Sequence, residues 1–446
     1  MKAIKARWVA AAYDDLRKDH AVLVDNGRIV DVVPHAALAD AIQAGKLCAG
    51  DVVDRSESIL FPGFVNAHMH QYGVLSHGIP QVRGVTDFDS FLRRYWWPCV
   101  EDRIRREQVL ITARATMAEM LHSGITAFCD ILEAPYTEGD TLIAQGEAIE
   151  RAGMRAIVSL ESSQRAGKSN GEACLRQNAE AVDYFKKEDG FVRGAICTHT
   201  TFTCPPEMIR EAAALAKAHG AFLQFHLSES RYEPDWARAH LGQAPAAIYA
   251  QAGALSETTI AAQCVKLDAQ EQALLRKHGV QTVHLPISNC EVGGGVAPVP
   301  ELLAQGLTPA LGTDGYINDF FQVMREACLI HKAFHETTDV MPASIVFRMA
   351  TEFGAKAMGL ADCGLLKPGY RADLVAYDAA RQLTPVTEEN LLDQLVIFGS
   401  RQNVTDVWIE GRPVGENGAL RTLDEERDRR QLRQCAAAFW KEMPAG

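Results

Sequence analysis

The feature that most constrains the fold of this chain is an alternation of two periodicities. Short runs rich in apolar and β-branched residues recur at 58–68 (SILFPGFVNAH), 124–132 (GITAFCDIL), 154–161 (MRAIVSLE), 192–200 (VRGAICTHT), 221–229 (AFLQFHLSE), 258–267 (TTIAAQCVKL), 280–288 (VQTVHLPIS) and 307–315 (LTPALGTDG). Runs of this length and composition read as strands. Between them lie stretches with helical spacing, such as PEMIREAAALAKAHG and DAQEQALLRKHG, each closed by a glycine where a helix C-cap belongs. Eight such strands alternating with helices predict a (β/α)8 TIM barrel within an α/β chain. A doubly wound sheet is the rival, but it gathers functional groups at a topological switch point rather than at the ends of most strands.

The flanks have a different character. HAVLVDNGRIVDVVP alternates around Asn26-Gly27 like a hairpin, and GYRADLVAYDAARQLTPV and VTDVWIEGRPVGENG near the other end read the same way. The simplest organisation is a barrel over 61–363 beside a small β-sandwich built from both chain ends, 1–60 and 364–446. The last segment also carries a charged amphipathic helix, DEERDRRQLRQCAAAFWKEM.

Composition narrows the function classes. No apolar run approaches the length needed to cross a bilayer, and WVAAA near the N-terminus is too short for a signal-peptide core, so no membrane association is expected. Eleven cysteines lie scattered without CxxC or paired spacing, which fits a reduced, cytoplasmic setting. A formal charge of −12 argues against nucleic acid as a partner and suits a small neutral or cationic substrate. A homo-oligomer, dimer or higher, is the expected assembly.

The candidate chemistry sits at strand ends. His68 and His70 in FPGFVNAHMH are at i and i+2 of a strand, so both point to one side and can converge on one ion. His226 closes the fifth run and Asp314 the eighth, both at C-terminal ends, where barrel enzymes keep their active sites. Three imidazoles and a carboxylate suit one divalent metal ion, zinc first, with iron or manganese also accepting this set. Taken singly, His226 reads equally as a core histidine and Asp314 as a turn cap. Glu229, three residues beyond His226, is placed to reach a metal-bound water as general base, or to start a helix.

PGFVNAHMH, HTTFTCPPE, FHLSES, VHLPISNCEVGGGVAPVPELLAQG, ALGTDG and PGYRADLV together resemble the successive motifs of the amidohydrolase superfamily, in the branch of cytosine, guanine and S-adenosylhomocysteine deaminases and triazine hydrolases. The resemblance implies a distorted barrel, a metal held by His68, His70, His226 and Asp314, Glu229 as proton shuttle, Asp314 also helping to activate water, and His199 facing the substrate. One departure stands out: AAQCVKL puts Gln263 where the relatives carry a histidine, and an amide cannot titrate. His284 on the next strand could take part instead, or be structural. Gln71, Tyr72, Trp97 and Gln263 are further candidates for substrate contact, and the glycines at 293–295 for a flexible wall of the site. The expected activity is hydrolytic deamination of an amino-substituted purine, pterin, pyrimidine or triazine. Hydrolysis of another C–N or C–Cl bond is the alternative, and a non-catalytic scaffold the remaining one.

Overall fold

The computed structural model describes residues 1–80, 82–187 and 190–443. By their internal contacts the residues fall into two compact units. One comprises Met1–Asn66, Ala118–Ala127 and Asn318–Asp424, the other Ala67–Met117, Phe128–Ile317 and Glu425–Gly446.

The barrel strands form two sheets that share one interrupted strand. Phe64–Met69, Ile125–Leu132, Arg155–Leu160 and Val192–Gly194 stand side by side, as do Ile196–Cys197, Leu223–Leu227, Thr259–Gln263, Gln281–His284 and Ala310–Leu311. Ala195 breaks the fourth barrel strand: its NH donates to the Val158 carbonyl on one side, and the Ile196 NH donates to Phe222 on the other. A parallel bridge between Met69 and Asp314 joins the last strand to the first. Each strand coincides with one of the eight runs predicted from sequence. Ile125–Leu132 is buried at every position, as expected for a parallel strand covered on both faces, which is why it reads as a continuous apolar run.

The intervening helices follow their local signals. Pro206–His219 starts on a proline in its first turn and buries Met208, Ile209, Ala212 and Ala216 along one face. Ala269–His278 is capped by Asp268, which accepts from the NH groups of Gln270 and Glu271, while Glu271 reaches back to the Asp268 NH.

In the other unit, both chain ends build one eight-stranded sheet in the order Ala419–Leu420, Arg412–Glu416, Val404–Ile409, Leu374–Asp378, Val52–Pro62, Lys2–Ala12, Asp15–Asp25, Arg28–Pro34. Asn26 and Gly27 both have positive φ, as a two-residue type I′ hairpin requires. Ile4, Val22 and Ile29 share a core with Leu374, Ala376 and Trp408, so the two ends are held by common apolar burial.

Three boundaries differ from those expected. The run at 58–68 breaks at Gly63: Val52–Pro62 belongs to the chain-end sheet, and the barrel begins at Phe64. Residues 318–363 count with the sheet-bearing unit, and the helix Glu425–Lys441 with the barrel unit. That helix is docked through a few side chains: Arg114 Nε donates to Asp428 (3.1 Å) and the Trp440 indole donates to the Leu75 carbonyl (2.7 Å).

Candidate active site

Strand alternation delivers the histidine pair as predicted. His68 and His70 lie on the first barrel strand and its exit, with ring centroids 4.9 Å apart, and His226 near the end of the fifth strand is 4.9 Å from His68 and 5.4 Å from His70. His70 Nδ1 donates to the Ile131 carbonyl at 2.8 Å, which leaves Nε2 bare, 3.4 Å from His226 Nε2. Both ring nitrogens of His68 and Nδ1 of His226 are buried without a hydrogen-bond partner. Burial, reinforced by neighbouring imidazoles, holds His68 and His226 well below the ordinary histidine range, so they are neutral with lone pairs available. Buried polar atoms without partners are rare, and converging neutral imidazoles are what a divalent cation satisfies.

Asp314 lies beside the imidazoles. One carboxylate oxygen lies 3.4 Å from His70 Nε2 and accepts from the Gly315 NH at 2.6 Å, while the other accepts from Gln263 Nε2 at 2.6 Å. Its backbone reaches this place because the Thr313 and Asp314 NH groups both donate to the His68 carbonyl, at 3.1 and 3.2 Å. Only glycine permits that approach one residue earlier, since a Cβ on Gly312 would fall 2.6 Å from the His68 oxygen. Gln263 and Cys264, both with positive φ, end the sixth strand, and the side-chain Oε1 of Gln263 accepts from Asn289 Nδ2.

Glu229 lies in the turn between the fifth barrel strand and the helix Tyr232–Leu241, and its side chain lines the same cavity. Burial, with the charges of Asp314 and Glu233, raises its carboxyl well above the usual range. Glu233 braces this turn by accepting from the NH groups of Ser228 (2.6 Å) and Thr201 (2.8 Å), and burial pushes its own carboxyl up to about 7. The glycine run at 293–295 has a steric reason: a Cβ on Gly294 would sit 2.5 Å from the Glu229 carbonyl oxygen. Close backbone approach, rather than flexibility, accounts for that position.

The cavity collects His70, His199, His226, Glu229, Gln263 and Asp314 under a wall of Phe88, Phe91, Trp96 and Tyr316. His199 donates or accepts through Nδ1 with Thr203 at 2.8 Å, and burial keeps it below its ordinary pKa. Four candidates for reaction or substrate contact are not among the described residues lining this cavity. The Gln71 amide is spent on the Ala113 carbonyl, Thr116 and Gln145. The Tyr72 hydroxyl donates to Glu133 and, at 3.5 Å, to Glu101. Trp97 lines a separate recess with Arg93 and Arg165, and Trp96 takes the cavity position. His284 is buried at the end of the seventh strand. Gln263 lines the cavity, but its amide is committed at both ends and orients Asp314.

Sequence reasoning missed a buried carboxylate group. Glu101, Glu133 and Glu161 have oxygens within 4.8 Å of one another, and each side chain is almost wholly buried. Glu133 also approaches the histidines, 3.8 Å from His226 Nε2. Burial and mutual repulsion raise Glu101 and Glu133 well above the ordinary range; burial also works to raise Glu161, but His199 and Arg165 hold it below. The signal was present: Glu133 and Glu161 each directly follow a barrel strand, the same position rule that singled out the metal ligands.

A model of the amidohydrolase family matches residues 59–414. A 5-methylthioadenosine/S-adenosylhomocysteine deaminase from Pelotomaculum thermopropionicum is 32% identical, over 93% of this chain and 92% of the relative. The crystal structure of an adenosine deaminase from Xanthomonas campestris with bound zinc superposes with a TM-score of 0.86 at 28% identity, covering 98% of each chain. An atrazine chlorohydrolase from Arthrobacter aurescens, complexed with zinc, shares the fold at a TM-score of 0.84 and 22% identity, over 99% of this chain and 100% of its own. With the family model matching residues 59–414 and a relative 32% identical over 93% of the chain, the chain belongs to the amidohydrolase family.

Proposed function

We propose that this protein is a metal-dependent hydrolase that deaminates an amino-substituted N-heterocycle. The observation that carries the reading is the convergence of buried, unpartnered imidazole nitrogens of His68 and His226 with His70, at a cavity that His70, His226, Asp314 and Glu229 line. The deaminase names of the relatives support the reaction class, and the zinc of the adenosine deaminase supports the ion. His68, His70, His226 and Asp314 would hold one divalent ion, zinc first. Such an ion supplies Lewis acidity and lowers the pKa of a water it binds toward about 7.

The chain's own residues do the rest. Water adds to the electron-poor carbon that bears the amino group, and ammonia leaves. Glu229, held in its turn by Glu233 and Gly294, takes the proton of the attacking water and delivers it to the departing nitrogen. Burial raises the Glu229 carboxyl above the usual range, which favours its holding the proton between the two transfers. Gln263 fixes Asp314 for its part in orienting the water, and His199 is placed to contact the heterocycle. Phe91, Trp96 and Tyr316 offer aromatic surface for a planar ring.

Among the described residues no helix is long and apolar enough to cross a membrane, and all eleven cysteines are free, which supports a cytoplasmic setting. The proposed assembly is a homo-oligomer, read by light scattering.

The test is a panel of aminopurines, pterins, pyrimidines and triazines assayed for ammonia. Release of ammonia from at least one supports the reading, whereas release of alkylamine or chloride alone would reject it. Glu229→Gln is expected to keep its metal and to lose turnover by about 10²-fold or more. An unchanged rate would remove Glu229 from the proton path.

A further inference from the structure

The cavity beside the histidines is too small for the substrate proposed for it. It encloses about 40 Å³ of free space, room for a few waters but not for a heterocyclic ring, whereas ligand sites ordinarily offer roughly 300–1,000 Å³. A recess of about 620 Å³ adjoins it, and Phe88, Phe91 and Val292 line both. One wall of the cavity must therefore give way. The ligand side is fixed: His70 is bonded to the Ile131 carbonyl, Asp314 to Gln263 and the Gly315 NH, and the turn that carries Glu229 is braced by Glu233.

The partition between the two spaces has one movable part. Its backbone is pinned, because Asp87 accepts from the Ser90 NH at 2.9 Å, the Phe91 NH donates to the Asp87 carbonyl at 2.8 Å, and Arg93 Nη2 donates to the Tyr232 hydroxyl at 3.3 Å. Phe88 is buried, and Val292 is β-branched and stiff about its first torsion. Phe91 is only partly buried, and its ring stacks on Trp96 with centroids 5.6 Å apart and planes 20° apart. Trp96 is buried and lines the cavity. A flat ring thus already covers the Trp96 face, and it belongs to the protein.

We propose that Phe91 is both gate and placeholder: it stacks on Trp96 where the substrate's heterocycle is to lie, and it turns into the recess to let that ring in. The inference rests on the reading of this cavity as the substrate site of an amino-heterocycle hydrolase. Rotation of a phenylalanine between staggered side-chain wells needs no backbone movement, and the recess has the volume to receive the ring. The incoming heterocycle restores on Trp96 the stacking that Phe91 gives up, so a flat molecule can replace Phe91 and a saturated one cannot. The recess is then the entrance to the site. Until the substrate arrives, the closed form lowers its apparent affinity by the fraction of molecules whose gate stands open.

Stopped-flow binding of azide and of benzotriazole to the cobalt(II)-loaded protein, followed by the visible spectrum of the ion, tests this. Azide is small enough for the closed cavity, whereas benzotriazole is a flat bicycle. With an open form populated at about 10% or less, Phe91→Ala should raise the benzotriazole association rate at least about tenfold relative to that of azide, and Phe91→Leu by less. A ratio of rates that Phe91→Ala leaves unchanged, or benzotriazole binding to neither protein, would overturn the proposal. Should Phe91→Ala fail to fold, Phe91→Leu decides alone. Should cobalt fail to load, the metal reading falls, and the gate is judged in crystals soaked with benzotriazole. The probe on Trp96 with Phe91 turned into the recess supports it, and Phe91 still stacked on Trp96 overturns it. Ammonia release is a separate readout: its absence from every amino-heterocycle overturns the deaminase reading, while the association rates still report on the gate.

Discussion

Gln263 shows how one side chain can be misread from its neighbours in sequence and understood from its partners in space. As a replacement for a histidine it reads as a lost titrating group, yet its amide donates to Asp314 and accepts from Asn289. Groups that orient a metal ligand typically govern affinity by 10–100-fold, so Gln263→Ala should weaken metal binding by about that factor, measured by competition with a chromogenic chelator. Unchanged affinity would show that the Gly315 NH alone suffices to hold Asp314. His68 and His70 were legible because a period of two is a property of any strand. Glu133 and Glu161 obey the same placement but lack a surrounding motif, and a carboxylate after a strand is common enough to pass unnoticed. Trp96 lines the cavity in place of the expected Trp97 for a different reason. Phe91–Val100 winds as a π-helix, with the Glu101 NH reaching back to the Trp96 carbonyl, so the facing of its rings departs from the ordinary helical period.

At the scale of elements, the eight strands were readable because each is buried and short, but their true lengths were not. The eighth has only Ala310–Leu311 in regular pairing, and the chain then leaves the ladder so that Asp314 can turn toward His70. That exit depends on Gly312, where a Cβ would strike the His68 backbone and the Leu285 side chain. Gly312→Ala should therefore destabilise the protein by about 1–3 kcal/mol in urea unfolding, as overpacking of a filled site does, and lower metal affinity at the same time. Loss of stability with intact affinity would separate the strand from the site. The fold class was visible from alternation alone. The assignment of 318–363 and of the terminal helix was not, because it depends on long-range contacts such as Arg114 with Asp428 that no local pattern encodes.

For the whole molecule, acid is the informative stress. His331, on the helix Phe320–His335, is driven down to about 4 by burial, with a smaller contribution from His335. Its unfolded value is near 6.5, so above that pH the residue is neutral in both states and its contribution to stability is fully present. As pH falls from 6.5 toward 4 the unfolded chain takes up the proton first, and that stability is lost. The urea midpoint should drop between pH 7 and pH 5, and His331→Gln should drop by less over the same interval. An equal drop in the variant would assign the acid sensitivity to other groups.

The hydrogen bonds from Thr313 and Asp314 to the His68 carbonyl have a consequence for biosynthesis. Closing the barrel brings Asp314 to the histidines, and the residues that do so lie at opposite ends of the barrel sequence. A ribosome-bound chain exposes His68 and His70 early but has no fourth ligand until the last barrel strand has emerged and docked. His226 adds a third imidazole when the fifth strand emerges, so the proposed four-ligand set is complete only when Asp314 docks beside them.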